Sequence, residues 1–275
     1  MVKQLGAEGE VDAHFRRLPD ANPLDVSDPA SIERIGDVEA IVHLAALSSP
    51  TANRHDLVTI NRINALGTLH MLEAARRCGA RFVLASSQRV YRPVGRPLRE
   101  SDPPDPGEPY GVSKLAAERW TAMYAAQAGL STVVLRIFTV YGPGQRVLTG
   151  QSGVATIFLQ AALDGRPIWV DGENQVRDLI YLDDVVTAII QALARPAAVG
   201  GVFNVGSGRP VRLVDLAALV KTVTGSTSEI VIENRGGDGV MVVADVSAAE
   251  RVLGLAARMP LAEGLAVQAA WLRDG

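Results

Sequence analysis

Twice in this chain a run of apolar residues at helical spacing ends on a glycine and gives way at once to a short β-branched run. Leu57–Cys78 stops at Gly79 and is followed by Arg81-Phe-Val-Leu-Ala85. A second such span, Tyr110–Ala128, stops at Gly129 before Ser131-Thr-Val-Val-Leu-Arg136. A glycine just past the last helical residue takes the left-handed conformation that closes a helix. Parallel strands need a crossover of this kind between them. With Ala40-Ile-Val-His-Leu44 and Glu10-Val-Asp-Ala-His-Phe15 as further strands, the rhythm predicts an α/β fold, a doubly wound parallel sheet with helices on both faces. After Tyr141 the pattern loosens into Gly- and Pro-punctuated segments. Helices over Leu182–Ala194, opened by Asp183-Asp184, and over Leu213–Val223 predict a smaller C-terminal α/β part covering the strand ends.

Within that frame Tyr110 and Lys114 carry the most chemistry. Four residues apart, they share one helix face. An ammonium beside a phenol is expected to lower the phenol's pKa from about 10 toward neutrality. A tyrosinate so held takes a proton from a hydroxyl while a hydride leaves the same carbon. The spacing is informative because the chain has only three lysines, Lys3, Lys114 and Lys221.

Composition excludes several classes. The 275 residues suit one large domain or two tightly joined ones, and 48% apolar with 21% charged residues describes an ordinary globule. A net charge of -3 offers no electrostatic footprint for nucleic acid or an anionic membrane. Cys78 is the only cysteine, so no internal disulfide can form, and a reducing cytoplasm is the expected compartment. No apolar run reaches the ~18 residues of a membrane span, and no signal peptide opens the chain. There is no metal-ligand cluster and no Gly-x-Ser-x-Gly elbow.

A series of segments in fixed order carries a resemblance. They are His43-Leu-Ala-Ala46, Asn64-Ala-Leu-Gly-Thr68, Ala85-Ser-Ser-Gln-Arg-Val-Tyr91, Pro109-Tyr-x-x-x-Lys114, Arg136-Ile-Phe-Thr-Val-Tyr-Gly-Pro143, Gln175-Val-Arg-Asp178, Tyr181-Leu-Asp-Asp184 and Phe203-Asn-Val-Gly206. Together they resemble the extended short-chain dehydrogenase/reductases of the NAD-dependent sugar epimerase/dehydratase family, over nearly the whole chain. The resemblance implies a Rossmann-like domain over residues 1–140 that binds NAD or NADP. It also implies a substrate-binding part over 141–275, of which roughly 178–206 packs back on the first domain. Tyr110 would be the acid/base, Lys114 its electrostatic partner and a ribose ligand, and Ser87 the hydroxyl that aligns the reacting sugar oxygen. Asp25 and Val26 would meet the adenine, although Asp28 is as good a candidate to cap a helix at Pro29. Leu44, Ala45 and Ala46 would let the cofactor pass close to a strand end. Asn64 would hold the backbone on the nicotinamide side, and Phe138 would line the cofactor site. On the substrate side stand Gln88, Thr139, Arg177 and Arg235, the two arginines suited to a nucleotide diphosphate because a planar guanidinium meets phosphate oxygens in pairs. Family members pair through helices matching Leu57–Cys78 and Tyr110–Ala128, so a homodimer is expected.

The chain departs from the family pattern in four places. The opening strand and its Gly-x-x-Gly-x-x-Gly turn, whose amides meet a pyrophosphate, are not found. Val2–Gly9 reads like the end of the first helix and Glu10–Arg17 like the second strand, so the first strand is missing. Two expectations follow: the protein starts upstream, or the chain depends on a partner. Phe15 stands where an acidic residue would hold the adenosine ribose, followed by Arg16 and Arg17, which leaves NAD and NADP both open. Gln88 and Arg89 occupy the positions of the Asp-Glu pair with which sugar 4,6-dehydratases eliminate water, which argues against dehydration. Arg92 replaces the Gly usual after Val-Tyr.

The activity the resemblance implies is epimerisation at C4 of a UDP-linked or similar sugar through a 4-keto sugar. A keto-sugar or carbonyl reductase of the same family is the first alternative, and a non-catalytic or partner-dependent subunit the second.

Overall fold

The structure, a computed structural model, describes residues 24–47, 56–145, 147, 153–234 and 239–274. The predicted strand Glu10–Phe15, the Arg16-Arg17 pair and Arg235 lie outside the described residues. The first element among the described residues is a short helix, α1 (Pro29–Ile32), opened as the sequence suggests by Asp28, whose carboxylate accepts from the Ala30 amide. Strand β1 (Ala40–His43) follows. The long helix predicted over 57–78 is present but interrupted: α2 (Leu57–Asn61), a π-helical turn over Arg62–Leu66, then α3 (Gly67–Cys78), closed by Gly79 at φ +66°. Such a wide turn re-aims the side chains beside it, and it recurs at functional sites.

Strand β2 (Arg81–Ser87), helix α4 (Pro109–Ala128, closed by Gly129 at φ +65°) and strand β3 (Thr132–Ile137) complete the predicted rhythm. The chain continues through β4 (Thr139–Tyr141), α5 (Val154–Leu163), β5 (Ile168–Asp171), β6 (Val176–Tyr181), α6 (Leu182–Ala194) and β7 (Val202–Val205). It ends with β8 (Pro210–Arg212), α7 (Leu213–Thr224), β9 (Ile230–Glu233), β10 (Met241–Val242), α8 (Ser247–Leu253) and α9 (Leu261–Asp274).

The main sheet of the described residues runs β1-β2-β3-β7, parallel throughout. A second sheet places β6 between β4 and β10, with β8 antiparallel on β6, and β5 pairs with β9 alone. Strand side chains alternate faces, and both faces of the main sheet are covered. Phe82 and Leu84 face Leu72, Ala75 and Ala117 of the α3–α4 layer. Val83, Val133 and Leu135 face Ile189 and Ala192 of α6 and Leu253 of α8. Leu159, Ile168, Leu216, Val220 and Leu265 form a separate apolar interior under the C-terminal elements. Each fully buried aliphatic side chain there contributes roughly 1.5–3 kcal/mol. This layering sets the C-terminal end of β2 directly against the first turn of α4.

Candidate active site

Tyr110 enters from the first turn of α4, whose opening is prepared locally. Pro109 occupies the first helical position, where its missing N–H costs nothing. Gly111 is required by a close approach: a Cβ there would run into the Arg89 carbonyl oxygen. The turn after β2 is therefore seated against the start of the helix. Ser87 ends β2 and caps the following turn, accepting from the Arg89 amide at 3.2 Å. Its hydroxyl also pulls the Tyr110 pKa down, against burial.

Burial raises the Tyr110 pKa, with the Ser87 hydrogen bond and the charge of Arg89 pulling it back and Glu108 adding to the rise. This reverses the direction expected from the Tyr-Lys spacing. Desolvation of the phenol outweighs what its neighbours return, and the phenol is the protonated species at neutral pH. Lys114 lies one turn deeper and is only 2% exposed. Among the described residues it forms no salt bridge. Burial lowers its pKa to about 8, with Glu118 opposing the shift.

The other candidate positions separate into groups. Asn64 is fully buried in the π-helical turn and clamps the backbone after β1 from both sides. Its Oδ1 accepts from the Leu47 amide at 2.7 Å and its Nδ2 donates to the Leu47 carbonyl at 3.0 Å and to Ser113 Oγ at 2.9 Å. That clamp holds the segment Leu44-Ala45-Ala46, whose three side chains are exposed. Asp25 accepts from the Ser27 amide and hydroxyl at 2.9 and 2.8 Å, while Val26 is buried against α3. Phe138 is buried with Val90, Tyr91, Leu98 and Ala244. Gln88 Nε2 donates to Thr139 Oγ1 at 3.2 Å, leaving Gln88 Oε1 buried and without a partner. Arg177, on β6, donates to the Val176 and Val240 carbonyls at 3.0 and 3.1 Å and also to Gln175. Its pKa is lowered by burial and then by the charge of Arg89.

Several supporting residues escaped the sequence reading. Glu118 pairs with Arg136 at 2.7 Å, both nearly buried, and accepts from Ser86 Oγ at 2.5 Å. Arg136 also donates to the Tyr91 hydroxyl at 2.8 Å, which donates in turn to Asn204 Oδ1 at 2.8 Å. Glu118 follows Lys114 by four residues as Lys114 follows Tyr110, so its place on the same helix stripe was a usable signal. Asp178 is fully buried and accepts from the Ser207, Gly208 and Ala244 amides and the Ser207 hydroxyl, which fixes β6 beside Arg177. Arg89 was noted only as a departure, yet its charge acts on both Tyr110 and Arg177.

These residues fit a dinucleotide. A buried ammonium that forms no salt bridge among the described residues, next to a clamped segment of small exposed side chains at a strand end, suits a ribose and a nicotinamide ring. Among the described residues no group of three His, Cys, Asp or Glu is placed to hold a metal ion. Nor is any helix long and apolar enough to cross a membrane.

Known proteins share this architecture and sequence. The model of the NAD dependent epimerase/dehydratase family matches residues 5–206. The chain is 33% identical over 249 residues to UDP-glucuronic acid decarboxylase 3 of Arabidopsis thaliana, covering 88% of this chain and 70% of the relative. It is 34% identical over 241 residues to UDP-glucose 4-epimerase of Mycolicibacterium smegmatis, covering 86% and 76%. The solved structure of MoeE5 in complex with UDP-glucuronic acid and NAD superposes with a TM-score of 0.90 at 35% identity, over 99% of this chain and 94% of that one. With the match spanning most of its length, the chain belongs to the NAD-dependent epimerase/dehydratase family and is an enzyme that works with NAD.

Proposed function

We propose that the chain inverts C4 of a UDP-linked sugar by way of a 4-keto sugar. The observation that carries this reading is the seating of the turn after Ser87, at the end of β2, against Gly111 beside Tyr110 in the first turn of α4, with Gln88 and Arg89 in that turn instead of carboxylates. Lys114 and the segment held by Asn64 are the residues that would hold NAD, with Asp25 toward its adenine. Bound NAD supplies a hydride acceptor and donor at the carbon whose hydroxyl Tyr110 serves. In its tyrosinate form, which burial disfavours in this protein, Tyr110 would take the proton from O4 and return it after the ketone has presented its other face. Ser87 would fix the oxygen in line with the phenol, and the Lys114 ammonium, one turn deeper on the same helix, is the charge that would bring out the tyrosinate against the cost of burial. Arg177 would hold the diphosphate as the pivot about which the sugar turns, and Thr139 and Gln88 would meet sugar hydroxyls. The buried Oε1 of Gln88 is an acceptor that such a hydroxyl would satisfy after a small rotation. Arg235 belongs to the same proposed diphosphate grip.

The test is to incubate the protein with UDP-glucose and with UDP-glucuronic acid and to resolve the C4 epimers by NMR. Epimer formation without net absorbance change at ~340 nm is expected. Net consumption of reduced cofactor would make it a reductase instead. Tyr110→Phe should lower turnover by roughly a thousandfold, within the range of general acid–base catalysis, while substrate binding changes little. Retention of a tenth or more of the activity would remove Tyr110 as the base.

The same reading has the chain as a homodimer through α2–α3 and α4. The exposed apolar residues Leu57, Leu66, Val112, Trp120 and Met123 on these helices support it. Sedimentation at micromolar concentration is expected to give twice the monomer mass; a stable monomer would discard the arrangement.

A further inference from the structure

We infer that the crevice between α4 and the β7 edge of the main sheet is a second binding site, one for an apolar α-amino acid. The crevice has a volume of about 530 Å3. Helix α4 and residues 100–104 form its walls, and β3 with the start of β7 its floor. Ser87, Tyr110, Lys114 and Arg177 are not among its lining residues, so it is separate from the site at the end of β2. Its two ends differ. Arg136, level with Ser86 in the sheet, shares one end with Glu118 and Glu100. Thr132, level with Phe82, shares the other with Gly200 and with Ala126 near the end of α4.

Five charged residues line the crevice, and three of them are answered. Glu118 and Arg136 pair with each other at 2.7 Å, and Asp102 pairs with Arg96 at 2.8 Å. Glu100 and Arg119 are left. The Asn204 amide donates to Glu100 Oε1 at 2.7 Å, which turns this carboxylate to the outer edge of β7, and it makes no salt bridge among the described residues. Arg119 forms neither a hydrogen bond nor an ion pair among the described residues. It follows Glu118 in the chain, so both free charges stand at one end of the crevice. The ammonium and carboxylate of an α-amino acid likewise stand on one carbon. The ammonium meets Glu100, the carboxylate meets the guanidinium fork, and an apolar side chain lies along Ala125, Val134 and Val202. A plain amine leaves Arg119 unanswered, and a plain carboxylate leaves Glu100 facing a like charge.

Calorimetry of leucine and phenylalanine on the NAD-loaded protein tests the site, with isoamylamine and isocaproate as leucine analogues lacking one charge each. At least one amino acid is expected to bind, and each analogue roughly tenfold or more weakly, the range for one hydrogen bond to a charged group. Glu100→Gln keeps an acceptor for the Asn204 amide and should reduce leucine to the affinity of isocaproate. Arg119→Gln, on an exposed side chain, should reduce it to that of isoamylamine. Saturating UDP-glucose should leave the amino acid affinity unchanged, because the crevice shares no residue with the site at the end of β2. No binding of either amino acid at ~10 mM, analogues equal to leucine, or unchanged affinity in both variants overturns the inference. Competition with UDP-glucose also overturns it, by placing the amino acid in the other site.

Discussion

The interior behind the reacting end of the main sheet is polar, whereas the interior beneath α7 and α9 is almost wholly apolar. In the first region Glu118, Arg136, Tyr91, Asn204 and Ser86 are joined by short hydrogen bonds, and a second chain runs from His43 through Thr68 to Asn64 and Ser113. In the second, Leu159, Ile168, Leu216, Val220 and Leu265 pack together, with only small polar groups at their edge, such as Gln268 donating to Thr156 at 2.7 Å and Ser226 to the Ala162 carbonyl at 2.8 Å. The difference reflects what each region must hold. Apolar packing is non-directional and accepts many side-chain combinations of the right volume. A connected polar network has one satisfied arrangement, and here that arrangement fixes Ser86 next to Ser87, the charge beside Lys114 and the loop after β1.

The comparison breaks most sharply at Glu118. Glu118→Ala leaves the Arg136 guanidinium buried without its carboxylate and should cost about 3–5 kcal/mol in urea unfolding. Glu118→Gln keeps the shape but removes the charge that helps Lys114 hold its proton. Its basic limb of kcat against pH should therefore move to lower pH than in the wild type. An unmoved limb would reduce Glu118 to a structural pair.

Leu216→Ala tests the other region. A fully buried leucine in a packed cluster should cost about 3 kcal/mol, the middle of the usual range for this substitution. At a temperature where the variant stays folded, its pH profile should overlay that of the wild type. A displaced profile would mean that the two interiors are not independent.

The smallest effect is expected at His43, and it appears only in acid. Burial, helped by the charge of Lys114, lowers its pKa from 6.5 to about 3. The unfolded chain therefore takes up this proton as pH falls below 6.5 while the folded protein refuses it until about 3, so stability is full above 6.5 and is lost across that window. His43→Gln, which can still reach Thr68, should remove this loss. Compared with its own value at neutral pH, it should keep roughly 2–3 kcal/mol more stability than the wild type near ~pH 4.5. Parallel curves for the two proteins would mean that His43 is protonated in the folded state.

Much of this was legible in the sequence. The glycines at 79 and 129 marked both helix ends because left-handed closure is a local property, and the β-branched runs after them are strands for equally local reasons. Helix α6 was legible from its apolar spacing and its opening acidic pair. Ser87, Tyr110 and Lys114 were singled out from spacing and from the family motif; Ser87 ends β2, and Tyr110 and Lys114 stand one turn apart on α4. The direction of the Tyr110 shift was not legible, because desolvation depends on what covers the phenol and no local pattern reports that. The π-helical turn at Asn64 was missed for a related reason: its sequence reads as ordinary helix, and only the clamp on Leu47, 17 residues away, shows its purpose.

The sequence by itself determined the order of strands and helices, the parallel sheet and the placing of Tyr110 and Lys114 on one helix face, since these follow from periodicity, helix closure and i, i+4 spacing. Tertiary structure alone decided which charges meet. The charge of Arg89 acts on Tyr110 and Arg177, and Glu118 meets Arg136 and Ser86, across elements far apart in the chain. Electrostatic energy depends on distance and burial, and both are set only when the sheet and its helices close on one another.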